Sequence, residues 1–111
     1  MVEIDMAVLM RREEAPTLIR AALDGAGVAA NLQDGMIRYL VDGVRPGSFL
    51  TAVLENNLSD AVLRAAAEGD GKTALIVPVV LFLIYNAPSP SFGSREAVDA
   101  WVANRQAMRS V

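Results

Sequence analysis

Apolar positions along this chain recur mainly at three- and four-residue spacing, with little strict alternation, and the pattern predicts helices throughout. Leu18, Ile19, Ala22 and Leu23 share one face of a first helix over about Glu14 to Leu23, preceded by a weaker helical or extended lead-in. Met36, Ile37, Leu40 and Val41 mark a second over Leu32 to Val41, with Gly35 a weak point inside it. A long third helix is expected from Ser48, whose hydroxyl can cap the free amides, to about Glu68. Its stripe is Phe49, Leu50, Val53, Leu54, Leu58, Ala61, Val62 and Ala65.

Clusters of Gly, Pro, Asp and Ser separate these segments: Asp24 to Gly27, Asp42 to Ser48, Gly69 to Gly71, and Ala87 to Ser94. After the third cluster, Thr73 to Asn86 is apolar nearly all round, as in a helix buried on several sides. Pro78 should kink its first turns unless the helix begins at Val77. Ser94 is placed to cap a last helix, Arg95 to about Met108, with Glu96 and Asp99 near its positive end. The expected fold is all-α: an antiparallel helical hairpin with short flanking helices at both ends. It is a single domain with a lead-in over residues 1–31 and the hairpin over 32–111.

At 111 residues one core is all the chain can build, and 53% apolar residues exceed what a soluble monomer of this size needs. Burial against further subunits is therefore expected. The longest apolar run, Ala74 to Tyr85, is too short for the roughly 20 residues of a membrane span, so no membrane partner is expected. Acidic residues ahead of the first apolar positions reverse the order of a secretory signal, and a cytoplasmic setting is the expectation.

The absence of Cys and His removes thiol chemistry, the usual zinc sites and histidine bases. The acidic residues show no spacing that sets two carboxylates beside a nucleophile, so neither enzyme activity nor a cofactor is expected. A net charge of −3 argues against binding DNA or RNA polymers but leaves room for a small anion held by local arginines. Ala66 to Thr73, "AAEGDGKT", matches a loose phosphate-binding loop. A helix rather than a strand precedes it, and no βαβ pattern surrounds it.

"RPGS" at Arg45 to Ser48 carries more information. Pro46 biases Arg45 toward extended backbone, and Gly47 permits close approach of a ligand. The amides of Ser48, Phe49 and Leu50 could then face a phosphate, with the Thr51 hydroxyl next to them. The same residues also suit an ordinary proline turn into a helix. Arg45 and Arg95 both stand at helix starts, where a cation is electrostatically unfavourable, and each needs a partner. Tyr39 and Phe92 lie near turns and are candidate stacking faces, whereas Trp101 fits the apolar stripe of the last helix.

Two separated blocks, "YLVDGVRPGSFLTAVLENNLSDAVLRA" and "IYNAPSPSFGSREAVDAWV", resemble the bacteriophage anti-defence sponges, both the anti-CBASS cyclic-nucleotide sponge and the related Thoeris sponge. The likeness covers about residues 34–104. It implies a homo-oligomeric helical hairpin, built from dimers and reaching hexamers, that sequesters cyclic di- or trinucleotide messengers without cleaving them. The Thoeris branch holds cyclic ADP-ribose isomers instead. It further implies that Pro46 to Thr51 form the phosphate-facing corner, that Arg95 comes from a neighbouring subunit, that Tyr39 offers a stacking face, and that Asn57 and Tyr85-Asn86 fix the hairpin by hydrogen bonds. Phe92 stands where a tryptophan is usual and Asn57 where the pattern has Asp, and the lead-in is longer than in the shortest members. Two other classes remain open: a protein-interaction module using the hydrophobic hairpin, and a nucleotide hydrolase using Lys72 and Thr73.

Overall fold

The computed structural model describes residues 3–57, 60–63 and 72–109, and among them there is helix and no strand. In chain order α1 is Met6–Met10, α2 Ala15–Ala26, α3 Ala30–Asp42 and α4 Ser48–Leu54. Residues 60–63 are helical (α5), a 3-10 turn over Lys72–Leu75 leads into α6, Ile76–Tyr85, and α7 is Arg95–Arg109. α2 packs on α3 and α6, and α3 packs on α7. One cluster joins Ile4, Leu9, Ile19 and Leu23 of the lead-in to Leu40, Leu54, Phe82 and Trp101, so the lead-in contributes directly to the core.

α2 and α3 both end on a glycine with positive φ. At Gly27 (φ +81°) the chain turns so that Val28 N–H reaches the Leu23 carbonyl at 3.0 Å and Val28 is buried. At Gly43 (φ +71°) the Gly43 N–H reaches the Tyr39 carbonyl at 3.0 Å and the Val44 N–H the Arg38 carbonyl at 3.3 Å, so α3 also ends on a left-handed glycine, with a wider closing turn. Three carbonyls at that end accept side-chain bonds from α7. Trp101 Nε1 donates to Tyr39 O (3.2 Å), Arg105 Nε to Val41 O (3.0 Å), and Gln106 Nε2 to Gly43 O (3.2 Å). Ser94 caps α7 as its position suggested, its Oγ accepting from Ala97 N at 3.0 Å.

Four local expectations change. The helix beginning at Ser48 does not run unbroken toward Glu68. It ends at Leu54, and Asn56 takes φ +61°, a conformation asparagine tolerates better than most residues. Asn57 then restarts the chain by accepting from Asp60 N through Oδ1 (3.2 Å), the capping pattern of a new helix. Residues 58, 59 and 64–71, which carried the rest of that helix and most of the loose phosphate-loop match, lie outside the described residues.

Ser48 is the first residue of α4 rather than its cap. Gly47 takes the cap position, and no side chain caps the helix. Pro78 causes no interior break because α6 starts at Ile76 after the 3-10 turn. Proline then falls among the first amides, which have no partner within a helix in any case. Nor is α6 buried all round: Ile76, Val79, Phe82 and Leu83 are buried, while Val77, Leu81, Ile84 and Tyr85 are 41–62% exposed.

Candidate functional site

The segment from Gly43 to Thr51 turns from α3 into α4, and the two helices enclose a groove of about 440 Å³, within the usual range for small-ligand sites. One wall is a stripe of α3: Asn31, Asp34, Gly35 and Arg38, at the spacing that puts residues on one helix face. The other wall is Gly47, Ser48, Phe49 and Leu50.

Gly35 sets the separation of the walls. A Cβ built there would sit 3.6 Å from Pro46 Cβ and from Leu50 Cδ1, in ordinary contact, so α3 and the corner approach each other closely at this point. Gly47 has φ −61°, and a Cβ on it would meet nothing within 4 Å. Its backbone therefore suits any residue, and what glycine supplies is open space beside the groove. The first backbone bond of α4 runs from Thr51 N to Gly47 O (3.0 Å), which leaves the amides of Ser48, Phe49 and Leu50 ahead of it without a capping side chain. Thr51 turns its hydroxyl away, donating to Pro46 O at 3.1 Å, so Thr51 and Pro46 brace the corner.

Charge in the groove comes from α3. Arg20 of α2 donates to Asp34 Oδ1 at 2.5 Å and to Gln33 Oε1 at 3.1 Å. Buried Gln33 in turn donates to Asp24 Oδ1 (2.7 Å) and Val28 O (3.0 Å). This network orients the guanidinium, and the hydrogen bond and charge of Arg20, followed by the charge of Arg38, hold the Asp34 carboxyl below its ordinary value. Asp34 is ionised at neutral pH, and among the described residues Arg38 is the cationic side chain that lines the groove.

Of the ten candidates expected from the sequence, Gly47, Ser48, Phe49 and Leu50 line the groove, Pro46 and Thr51 brace the corner without lining it, and Tyr39, Arg45, Phe92 and Arg95 do not line it. Arg45 has the partner its position demanded, but within the chain: it pairs with Asp99 of α7, both side chains about half exposed. Arg95 is exposed at the start of α7 and lines no part of the groove. Phe92 is half-buried against the core.

Tyr39, expected as a stacking face, is 0% exposed. Its hydroxyl donates to Ser91 O at 2.5 Å, and burial pushes the phenol well above its ordinary pKa. Both ring faces are taken up by packing, because α7 and the loop before it close over the C-terminal end of α3. Asn31, Asp34 and Arg38 were missed by the sequence reading. The signal available was their shared stripe with Gly35 at i, i+3, i+4 and i+7 on the polar side of α3.

A second groove, about 580 Å³ and largely apolar, lies between α2 and α6 and is lined by Ala21, Ala22, Gly25, Ala26, Leu81, Tyr85 and Asn86. Among the described residues no helix is long and apolar enough to cross a membrane, and no three acidic side chains come together to hold a metal ion. No protein-family description, curated protein or solved structure matches this chain.

Proposed function

We propose that the protein is a non-catalytic sponge that binds and sequesters cyclic oligonucleotide second messengers, cyclic di- or trinucleotides, and so blocks bacterial anti-phage signalling. The observation that carries the reading is the α3–α4 groove, where the RPGSFLT corner presents an open glycine and uncapped amides opposite the cation Arg38. An anion fits such a wall, and the apolar sides of Phe49 and Leu50 suit a base or ribose. The helical hairpin and the homo-oligomer belong to the same proposal, as does a cytoplasmic site of action in the infected host. Arg95 is then a charge offered to a neighbouring subunit's ligand.

Support for self-assembly comes from α6. Val77, Leu81, Ile84 and Tyr85 form a continuous uncharged face at i, i+4, i+7 and i+8, next to the small-residue groove of α2. A second copy brings the same face and the same groove, which is the self-complementarity a two-fold dimer requires. That face also sustains a second reading, a module that binds a different protein without any small ligand.

A panel of cyclic dinucleotides, cyclic trinucleotides and cyclic ADP-ribose isomers tests both readings by thermal shift, followed by heat release and chromatography of the ligand. A ligand held at 100 times its Kd stabilises the native state by about 2.7 kcal/mol. Intact cyclic oligonucleotide recovered after a clear rise in melting point is the expected outcome. Recovered cyclic ADP-ribose isomers assign the Thoeris-type alternative, altered nucleotide makes the protein an enzyme, and no shift across the panel favours the protein-binding module.

A further inference from the structure

Resting on the reading of the α3–α4 groove as a cyclic-nucleotide site, we infer that the groove selects guanine over adenine, with Asp34 and Asn31 as the residues that read the base. The groove and such a ligand differ in charge. A cyclic dinucleotide brings two phosphates, yet among the described residues the groove lining sets a carboxylate, Asp34, beside the cation Arg38. A carboxylate repels phosphate, so the part of the ligand beside Asp34 is one that donates hydrogen bonds, and in a nucleotide the groups that donate in quantity are on the base edge.

Asp34 is prepared for this contact. Its Oδ1 is fixed by Arg20 at 2.5 Å and its side chain remains 73% exposed, leaving Oδ2 open. An ionised carboxylate only accepts, and its two oxygens together offer about four lone-pair positions, so the bond from Arg20 does not exhaust it. The Watson–Crick edge of guanine presents two adjacent donors, N1–H and the 2-amino group, which a carboxylate takes in a paired, charge-assisted arrangement. Adenine presents its 6-amino donor beside the N1 lone pair, and that lone pair would face the carboxylate. Asn31, one turn earlier on the same stripe, has a side-chain amide able to donate to guanine O6. The two residues together match guanine's order of groups, and with adenine at least one polar group is left unpaired, the situation in which hydrogen-bonding sites discriminate most strongly.

The test is isothermal titration calorimetry of the full chain with cyclic di-GMP and cyclic di-AMP, on wild type and on Asp34→Asn and Asn31→Ala, with circular dichroism to confirm the fold of each variant. Wild type is expected to bind cyclic di-GMP about tenfold or more tighter than cyclic di-AMP, the factor of one good base contact. Asp34→Asn is expected to weaken cyclic di-GMP and bring the two ligands within about threefold, and Asn31→Ala to narrow the gap by less, as befits a single neutral hydrogen bond. Equal binding of both ligands by wild type, or a guanine preference that survives Asp34→Asn, overturns the base assignment while leaving the sponge reading intact. Failure of every cyclic nucleotide to bind wild type overturns both.

Discussion

Gly43 and Gly47 stand four residues apart at the two ends of one corner, and their surroundings are opposite. A Cβ on Gly43 would meet Arg105 Cβ and the Val102 carbonyl oxygen at 2.8 Å, and its φ of +71° is one that other side chains adopt only under strain. A Cβ on Gly47 would meet nothing within 4 Å, on a backbone of φ −61° that any residue accepts. The first glycine lets α7 close over the end of α3; the second leaves a groove open. The corner is therefore packed scaffold on the α3 side and open groove wall on the α4 side, divided at about Pro46.

The largest effect that would sharpen this contrast is at Gly43. Gly43→Ala is expected to cost about 2–4 kcal/mol, combining left-handed strain with overpacking against α7, and to appear as a lower urea midpoint. Gly47→Trp should leave that midpoint within about 0.5 kcal/mol, as an exposed substitution does, and still cut cyclic-nucleotide affinity by about a hundredfold. Equal loss of stability in both variants would erase the division.

Arg38→Ala comes next. Loss of a charged hydrogen bond to phosphate is worth about 1.5–3 kcal/mol, so affinity should fall by about tenfold or more without a change in stability. On the scaffold side, Tyr39→Phe removes the bond to Ser91 O and is expected to cost about 1 kcal/mol of stability without changing ligand affinity.

The pH dependence of that last residue is the smallest effect and carries its own sign. The neutral Tyr39 phenol is the form the core accepts, and its pKa is raised in the folded state by burial. Its contribution is full below the ordinary value near 10 and is lost as pH rises above it. Wild type should therefore lose stability above pH 10 more steeply than Tyr39→Phe does, as followed by thermal melts across that range.

The α4 half of the corner was legible in the sequence because its signals are local: a proline, a glycine and an apolar stripe fix a turn and a helix start wherever they occur. The capping of α7 by Ser94 was legible for the same reason. The fate of the aromatic and charged candidates was not, because it depends on which distant segment arrives. Tyr39 is buried by residues more than fifty positions away, and Arg45 is satisfied by Asp99. Helix periodicity alone also overran at Glu55 to Asn57, since apolar spacing continues across the break while Asn56 supplies the positive φ that ends α4. The α3 wall lay in plain view as a polar stripe, but only the packing of α4 against it turns that stripe into one side of a groove.

The most direct test of the groove is a 1H–15N correlation titration of the full chain with cyclic di-GMP, read residue by residue. The largest shifts are expected at Asp34, Arg38 and Gly47 to Leu50, with Ala21 and Gly25 beside the apolar groove unmoved. Shifts confined to α2 and α6, or none at millimolar ligand, would contradict it.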